Sequence, residues 1–313
     1  MSAQSLTLQT TEGTGAPSLI SDSVRVHLDY DIDDPPPLPE DGNWTRFVCL
    51  SDTHSQRFQV PLGDVLLHSG DLTSLGKVRD FIATTEWLRD LPHRTKIIIA
   101  GNHDLTLHKE WYAREGYNFH PFGPQNVDTV SELVKGSASK DARIVYLEDE
   151  VYEFQAKEGG RRWSVYGCPW TPWFGGWAFN YLSEEAAQFV GIIPKTDILL
   201  THGPPLRVHD LTTRGVVAGC PTILERVSQV QPRLHVFGHI HEGRGATIKT
   251  WEQRDAAGGA DTDGGAGSHA VTTFVNAANM PMGTDRLLDA RGKRRLPGAP
   301  GWQPVIVDLR DDA

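Results

Sequence analysis

The stretch Lys96-Ile97-Ile98-Ile99-Ala100-Gly101-Asn102-His103-Asp104 decides the fold. Its apolar run is short, continuous and β-branched, which is the pattern of a strand buried on both faces rather than of a helix. At the carboxyl end of the run an amide, an imidazole and a carboxylate stand side by side. A core has no use for three such groups, because burying each without a partner is costly. Ligands of α/β sheets bind outside the carboxyl ends of the strands, so the run and its polar end read as strand and site. Four other strand-like runs finish in the same way: Leu50-Ser51-Asp52-Thr53-His54, His68-Ser69-Gly70-Asp71, Leu200-Thr201-His202-Gly203 and Phe237-Gly238-His239-Ile240-His241.

Around these ends, strands at 46–50 and 64–68, a helix at 77–89 and a strand at 95–100 give a β-β-α-β order. That order fits a layered α/β sandwich. Further strands are expected at 144–147, 151–154, 163–167, 197–201, 234–238, 271–276 and 304–309. Helices are expected at 130–134, at 183–190 with Ser183 as its cap, and at 221–230. Residues 1–44 read as a partly flexible N-terminal extension. Its run Asp33-Asp34-Pro35-Pro36-Pro37-Leu38-Pro39-Glu40 is too Pro-rich for a helix or a central strand and reads as a linker, with residues 22–30 adding an edge strand. Residues 45–313 form a single domain, interrupted by a Gly/Asp/Ala-rich loop at 255–268 that offers little apolar surface to bury. The run Trp170-Thr171-Pro172-Trp173-Phe174-Gly175-Gly176-Trp177 is irregular. It reads first as a loop packed over the sandwich and second as a wall facing a substrate.

A chain of 313 residues buries about 75% of its unfolded surface, so a sizeable core is available. The formal net charge of −10 argues against tight binding to a nucleic-acid polymer or an anionic membrane. Cys49, Cys168 and Cys220 are odd in number and far apart, so they imply no disulfide framework; Cys49 and Cys168 fall in strands as buried thiols. No apolar run approaches ~20 residues, and the N-terminus lacks the basic start and apolar core of a signal peptide. The expected address is the cytoplasm.

The chemistry lies in the five strand ends. Asp52 and His54, spaced i and i+2, can face the same way; Gly70-Asp71 offers a carboxylate able to bridge two cations. Asn102-His103 pairs an amide oxygen with an imidazole, and His202 precedes the rigid turn Pro204-Pro205. His239 and His241 occupy alternate positions, with Gly238 allowing close approach. Two carboxylates, one amide and four or more imidazoles give each of two ions about four ligands. Nitrogen and oxygen without thiolate suit Mn, Fe, Zn or Co better than Ca or Mg. Two such ions about 3.5–4 Å apart clamp a phosphoryl group and generate a hydroxide. Arg207 and His209 follow the His202 turn closely enough to reach a substrate, and Arg244 just past His241 is a further candidate for phosphate contact. Glu242 could support a ligating histidine. His68 reads as a satisfied core imidazole, whereas His27, His108, His120 and His269 lie outside any motif and read as surface residues.

The ordered set Asp52-x-His54, Gly70-Asp71, Gly101-Asn102-His103-Asp104, His202-Gly203 and Gly238-His239-x-His241 resembles the calcineurin-like metallophosphoesterases over about residues 46–310. Val60-Pro61-Leu62-Gly63-Asp64, Leu91-Pro92-His93, Thr201-His202-Gly203-Pro204-Pro205 and Ile240-His241-Glu242-Gly243 look like the metallophosphoesterase-domain-containing subgroup, whose relatives include class III cyclic-nucleotide phosphodiesterases. The resemblance implies a four-layer α/β/β/α sandwich with two mixed sheets and a dinuclear site. By position, Asp52, His54 and His241 would hold the first ion and Asn102, His202 and His239 the second, with Asp71 bridging. His103 would be a catalytic non-ligand that contacts the phosphate or protonates the leaving oxygen. Many members carry an Asp where this chain has Ser74, and Asp104 is the candidate to orient His103 in its place.

The expected function is therefore a dinuclear metal-dependent phosphoesterase acting on a small-molecule phosphodiester or phosphomonoester. One alternative keeps the metals but cleaves a pyrophosphate or a non-phosphorus ester. Another is a non-catalytic scaffold, which the complete ligand set opposes.

Overall fold

Strands of β-branched and aliphatic residues alternate with amphipathic helices and set up four layers. The computed structural model describes residues 18–251, 270–281 and 295–312. In chain order the first strands are β1 (Leu19–Ser21), β2 (Val24–His27), β3 (Trp44–Leu50), β4 (Val65–His68), β5 (Thr95–Ile98) and β6 (Ile144–Tyr146). Then come β7 (Glu150–Gln155), β8 (Arg162–Cys168), β9 (Thr171–Pro172), β10 (Asn180–Tyr181), β11 (Ile198–Thr201) and β12 (Leu234–Phe237). The chain finishes with β13 (Gly245–Thr250), β14 (Val271–Asn276) and β15 (Val305–Arg310). The helices are α1 (Val78–Asp90), α2 (Lys109–Phe119), α3 (Val127–Lys135), α4 (Ser137–Asp141), α5 (Ala186–Phe189) and α6 (Pro221–Val230).

Among the described residues one large sheet has seven strands in the order β1-β2-β15-β3-β4-β5-β6, a second has six in the order β13-β14-β12-β11-β8-β7, and β9 and β10 form a two-stranded ribbon. In the first, β3 through β6 run parallel and β15 runs antiparallel to both its neighbours. In the second, β8, β11, β12 and β14 are parallel between antiparallel edges β7 and β13. Side chains from both sheets, among them Phe47, Leu67, Ile97, Trp163, Leu200 and Val236, interlock in a shared central core. The outer face of the first sheet is covered by α1, α2 and α3 through Phe81, Leu88, Trp111 and Val130. The outer face of the second is covered by α5 and α6 through Ala186, Ile223 and Val227. This is the four-layer sandwich, and it turns the carboxyl ends of the parallel strands of both sheets toward one another. Among the described residues no helix is long and apolar enough to cross a membrane.

Several local expectations change. Residues 24–27 pair with β15, and the Pro-rich stretch after them is tied down, because Arg46 Nη1 donates to the Pro36 carbonyl at 2.6 Å. The same guanidinium grips both oxygens of buried Asp308 at 2.7 Å. Ser183 is not a cap: it lies inside a 3₁₀ turn, and the Glu185 carboxylate accepts from the Leu182 N–H at 2.8 Å instead. His27 and His120 are buried rather than on the surface, and His108 is half-buried, its Nδ1 accepting from the Trp111 N–H at the start of α2. His68 is buried in the core as expected, with Nε2 3.0 Å from Thr53 Oγ1, but it is satisfied on one side alone, because its buried Nδ1 meets no hydrogen-bond partner among the described residues. All three cysteines are buried and free. The loop at 255–268 and His269 lie outside the described residues.

Buried neutral histidines give the fold an acid limit. Thr201 Oγ1 donates to the Gly203 carbonyl, so it accepts from His235 Nε2 at 2.8 Å, and a second proton is disfavoured at His235 Nδ1, which is buried with no partner among the described residues. Burial lowers its pKa to about 3, and burial likewise lowers that of His93 to about 4. Between an unfolded value near ~6.5 and these folded values the unfolded chain binds more protons, so stability is full above that range and falls as the pH drops through it. The loss of unfolding free energy between about pH 6.5 and 4 should be shallower in His235→Gln than in the wild type, measured by denaturant titration. An unchanged slope would show that His235 is protonated in the fold.

Candidate metal centre

The site is assembled where β3, β4 and β5 of one sheet face β11 and β12 of the other. Asp52 and His54 follow β3, Asp71 follows β4, Asn102 and His103 follow β5, His202 follows β11, and His239 and His241 follow β12. Strand alternation does not orient these side chains, as the i, i+2 spacing had suggested. Asp52, His54, Asp71 and His239 all sit beyond their strands with left-handed backbone, at φ of 54°, 46°, 52° and 65°. Such a conformation costs about 1–3 kcal/mol per non-glycine residue and persists only where its surroundings enforce it. Here the enforcement is main-chain pairing between the loops. Asp52 N–H donates to the Gly70 carbonyl at 2.9 Å, His54 N–H to that of Asp71 at 3.0 Å, and Gly238 N–H to that of His202 at 3.0 Å. Gly238 has a reason of its own, since a Cβ there would run into the Asp52 carboxylate and the Ser51 hydroxyl.

All seven candidate ligands converge. His241 Nε2 lies 3.1 Å from Asp52 Oδ1 and 3.4 Å from His54 Nε2. On the other side, His202 Nε2 lies 2.9 Å from Asn102 Oδ1, and its ring centroid is 5.1 Å from that of His239. Asp71 stands between them with one oxygen toward each: Oδ2 is 3.6 Å from His54 Nε2, and Oδ1 is 3.5 Å from His202 Nε2. Asp52, His54 and His241 offer ligand atoms within 4.8 Å of one another, as do Asp52, Asp71 and His202, and as do His54, Asp71 and His103. Asp52, Asp71, Asn102, His202 and His241 are buried.

The electrostatics fit a cationic guest. Burial opposes ionisation of Asp52 and Asp71, but the charges and hydrogen bonds of His241 and His202 outweigh it and hold both carboxyls below their usual range. Burial likewise opposes a charge on His202, yet Asp71 raises its pKa to about 9; Asp52 raises that of His241. Burial lowers His54 to about 4 and His239 to about 3, so both are neutral and free to ligate. Two ionised carboxylates are thus balanced by protons on two imidazoles, positions a divalent cation can take over. The ring orientations are fixed by main-chain carbonyls, those of Ser69 for His202 Nδ1 at 2.9 Å and Met280 for His241 Nδ1 at 2.8 Å. Nothing in the five motifs signals either carbonyl.

His103 is oriented in the same way. Its Nδ1 lies 2.7 Å from the Ser74 carbonyl and so carries the proton, leaving Nε2 outward. The group that orients His103 is therefore the main-chain carbonyl of Ser74 and not a side chain. Asp104 is not the orienting group. Its two oxygens accept from the N–H groups of Leu72, Thr73 and Gly101 and from the Thr73 hydroxyl, at 2.8–3.0 Å, and so brace the loop after β4 against the loop after β5. Trp177 stacks on the His103 ring at 4.1 Å, a contact the sequence placed no nearer than an overlying loop.

The three substrate-contact candidates fall outside the cluster or at its edge. Arg244 is half-buried and engaged elsewhere, Nη2 donating to the Leu28 and Gln303 carbonyls at 3.1 and 2.7 Å, where it anchors the N-terminal segment. His209 Nε2 pairs with Thr247 Oγ1 at 2.9 Å. Arg207 is exposed on a left-handed turn whose N–H donates to Asp210. Glu242 accepts from the N–H and hydroxyl of Thr213.

Comparison with known proteins agrees with this geometry. The profile of the family described as calcineurin-like phosphoesterase matches residues 26–243. Metallophosphoesterase domain-containing protein 1 of Homo sapiens and that of Mus musculus are each 41% identical over 226 residues, or 67% of this chain. The matched region spans 65% of the length of those relatives. A UPF0046 protein of Caenorhabditis elegans is 33% identical over 248 residues, covering 75% of both chains.

Because Asp71 offers one oxygen to each half of the cluster, Asp71→Ala should weaken divalent-ion binding in both halves, whereas His54→Ala should weaken one. Elemental analysis after gel filtration should find close to no ion in the first variant and about one in the second. Two ions retained by Asp71→Ala would show that the carboxylate does not bridge.

Proposed function

The chain belongs to the calcineurin-like phosphoesterase family, and from that premise we propose that it is a two-ion phosphoesterase hydrolysing phosphodiester or phosphomonoester bonds of a small molecule. The observation that carries this reading is the Asp71 carboxylate, whose separate oxygens face His54 and His202. A carboxylate so placed is shared between two adjacent cation positions. Asp52, His54 and His241 would hold one ion, Asn102, His202 and His239 the other. The oxygen and imidazole donor set suits Mn, Fe, Zn or Co. Such ions, when bound, neutralise charge on phosphoryl oxygens and supply an activated water.

The chain's own groups do the rest. His103 is held at its main-chain N–H by Asp71 Oδ1 at 2.8 Å and at Nδ1 by the Ser74 carbonyl, while Trp177 fixes the plane of its ring. With Nδ1 so engaged, Nε2 is left, in protonated form, to donate to a phosphoryl oxygen or to the departing oxygen. Main-chain pairing between the loops holds Asp52, His54, Asp71 and His239 in their strained conformations, so the carboxylates and imidazoles are in place before any substrate arrives. The net charge of −10 speaks against a nucleic-acid polymer as substrate. Three buried free thiols suit a reducing compartment, and we place the activity in the cytoplasm.

Loaded with Mn, Co, Zn or Fe, the protein should hydrolyse a 4-nitrophenyl phosphate monoester or diester, and excess chelator should abolish turnover together with bound metal. Turnover that persists in metal-free protein would contradict the proposal. His103→Ala should keep its ions and lose roughly 10²–10⁴ in kcat. The loss should be larger for an alkyl ester, whose leaving oxygen needs a proton, than for a nitrophenyl ester. Equal losses would reduce His103 to electrostatic contact, and loss of an ion would make it a ligand.

A further inference from the structure

Trp173 and Phe174 stand in the loop between β9 and β10 with 60% and 65% of their surface in solvent. The loop is held in place: Trp173 N–H donates to the Tyr181 carbonyl at 2.9 Å, and Phe174 N–H donates to Asn180 Oδ1 at 3.1 Å. Its far end is the Trp177 that stacks on His103. Its near end is Phe174, whose ring centroid is 6.3 Å from that of His239 at an interplanar angle of 82°. One anchored loop thus reaches both the imidazole proposed to serve the phosphate and an imidazole of the opposite half of the cluster. Beside those contacts Trp173 and Phe174 keep most of their aromatic surface uncovered.

We propose that Phe174, with Trp173 next to it, receives the organic part of the phosphoester, and that this part carries a flat apolar ring. The inference rests on the phosphoesterase reading of the same site. A phosphoryl group seated against Asp71, His103 and His239 has its ester substituent within reach of the loop. The carboxylates and imidazoles beneath serve the phosphate, and among the described residues the exposed aromatic side chains of this loop are placed to meet the substituent. An exposed ring recruits another ring in preference to an alkyl chain, because offset or edge-to-face geometry adds to burial. Phe174 is then a specificity-determining residue that bonds to no reacting atom.

The test uses the full chain loaded with its metal and two non-hydrolysable probes, phenylphosphonate and methylphosphonate, titrated by calorimetry. Wild-type protein should bind the phenyl probe at least tenfold more tightly. Phe174→Ala should cut that preference to threefold or less while metal content and affinity for methylphosphonate stay within twofold, and Phe174→Tyr should preserve the preference. An equal affinity of the wild type for both probes, or a preference unchanged in Phe174→Ala, would overturn the aromatic wall and leave the phosphoesterase reading standing. A loaded wild type that binds neither probe would overturn both. If Phe174→Ala instead splits an oligomer, seen by light scattering, with the preference intact, the aromatic face belongs to a second copy of the chain and the proposal falls.

Discussion

Two ionised carboxylates, Asp52 and Asp71, share a buried cluster with their oxygens inside a 4.8 Å group, and the rest of the structure answers that constraint. At an effective dielectric of about 20, like charges that close repel by about 3–4 kcal/mol. The repulsion persists unless positive charge lies between and around them. The fold supplies imidazoles from four chain segments that converge from two different sheets. Among the described residues it supplies no lysine or arginine in hydrogen-bond or ion-pair contact with these carboxylates. Imidazole can give up its proton and become a ligand, which a guanidinium cannot do. The neutral state of His54 and His239 beside the protonated state of His202 and His241 is the electrostatic form of that readiness.

Holding those groups requires backbone that most sequences avoid. Four site residues adopt left-handed conformations, and the loops that carry them are bonded to one another rather than to solvent. Asp104 shows how the strain is contained: one buried carboxylate accepts four donors and locks two loops to a common reference. Gly238 marks the reverse solution, a place where only the lack of a Cβ lets β12 end against Asp52. The central core between the sheets fixes the distance between the two sets of loops, so packing far from the chemistry sets the geometry of the site.

Much of this was legible in the sequence, because the strands and the ligands are both written in local pattern. Lys96–Ile99 reads as a strand from its β-branched run, and Asn102-His103 reads as chemistry because a core has no place for it. The seven candidate ligands come together as five strand ends pointing to one place would require. What could not be read was everything that depends on main-chain atoms and on distant partners. The Ser74, Ser69 and Met280 carbonyls orient His103, His202 and His241, and a carbonyl carries no residue signature. Arg244 looked like a phosphate contact from its nearness to His241, but Leu28 and Gln303, both distant in sequence, offer the carbonyls that hold it. His27 and His120 looked like surface residues for want of a motif, yet burial follows from packing partners rather than from motifs. The aromatic run at 170–177 showed its irregularity and hid which of its rings would stack on His103.

The central claim is that one carboxylate, Asp71, is shared by two cation positions, each drawing ligands from both sheets. Anomalous diffraction at the manganese edge, from crystals of the full chain grown with Mn²⁺, tests it most directly. Two peaks about 3.5–4 Å apart, with an Asp71 oxygen on each, are the expected result. A single peak, or two peaks with Asp71 bound to only one of them, would contradict it.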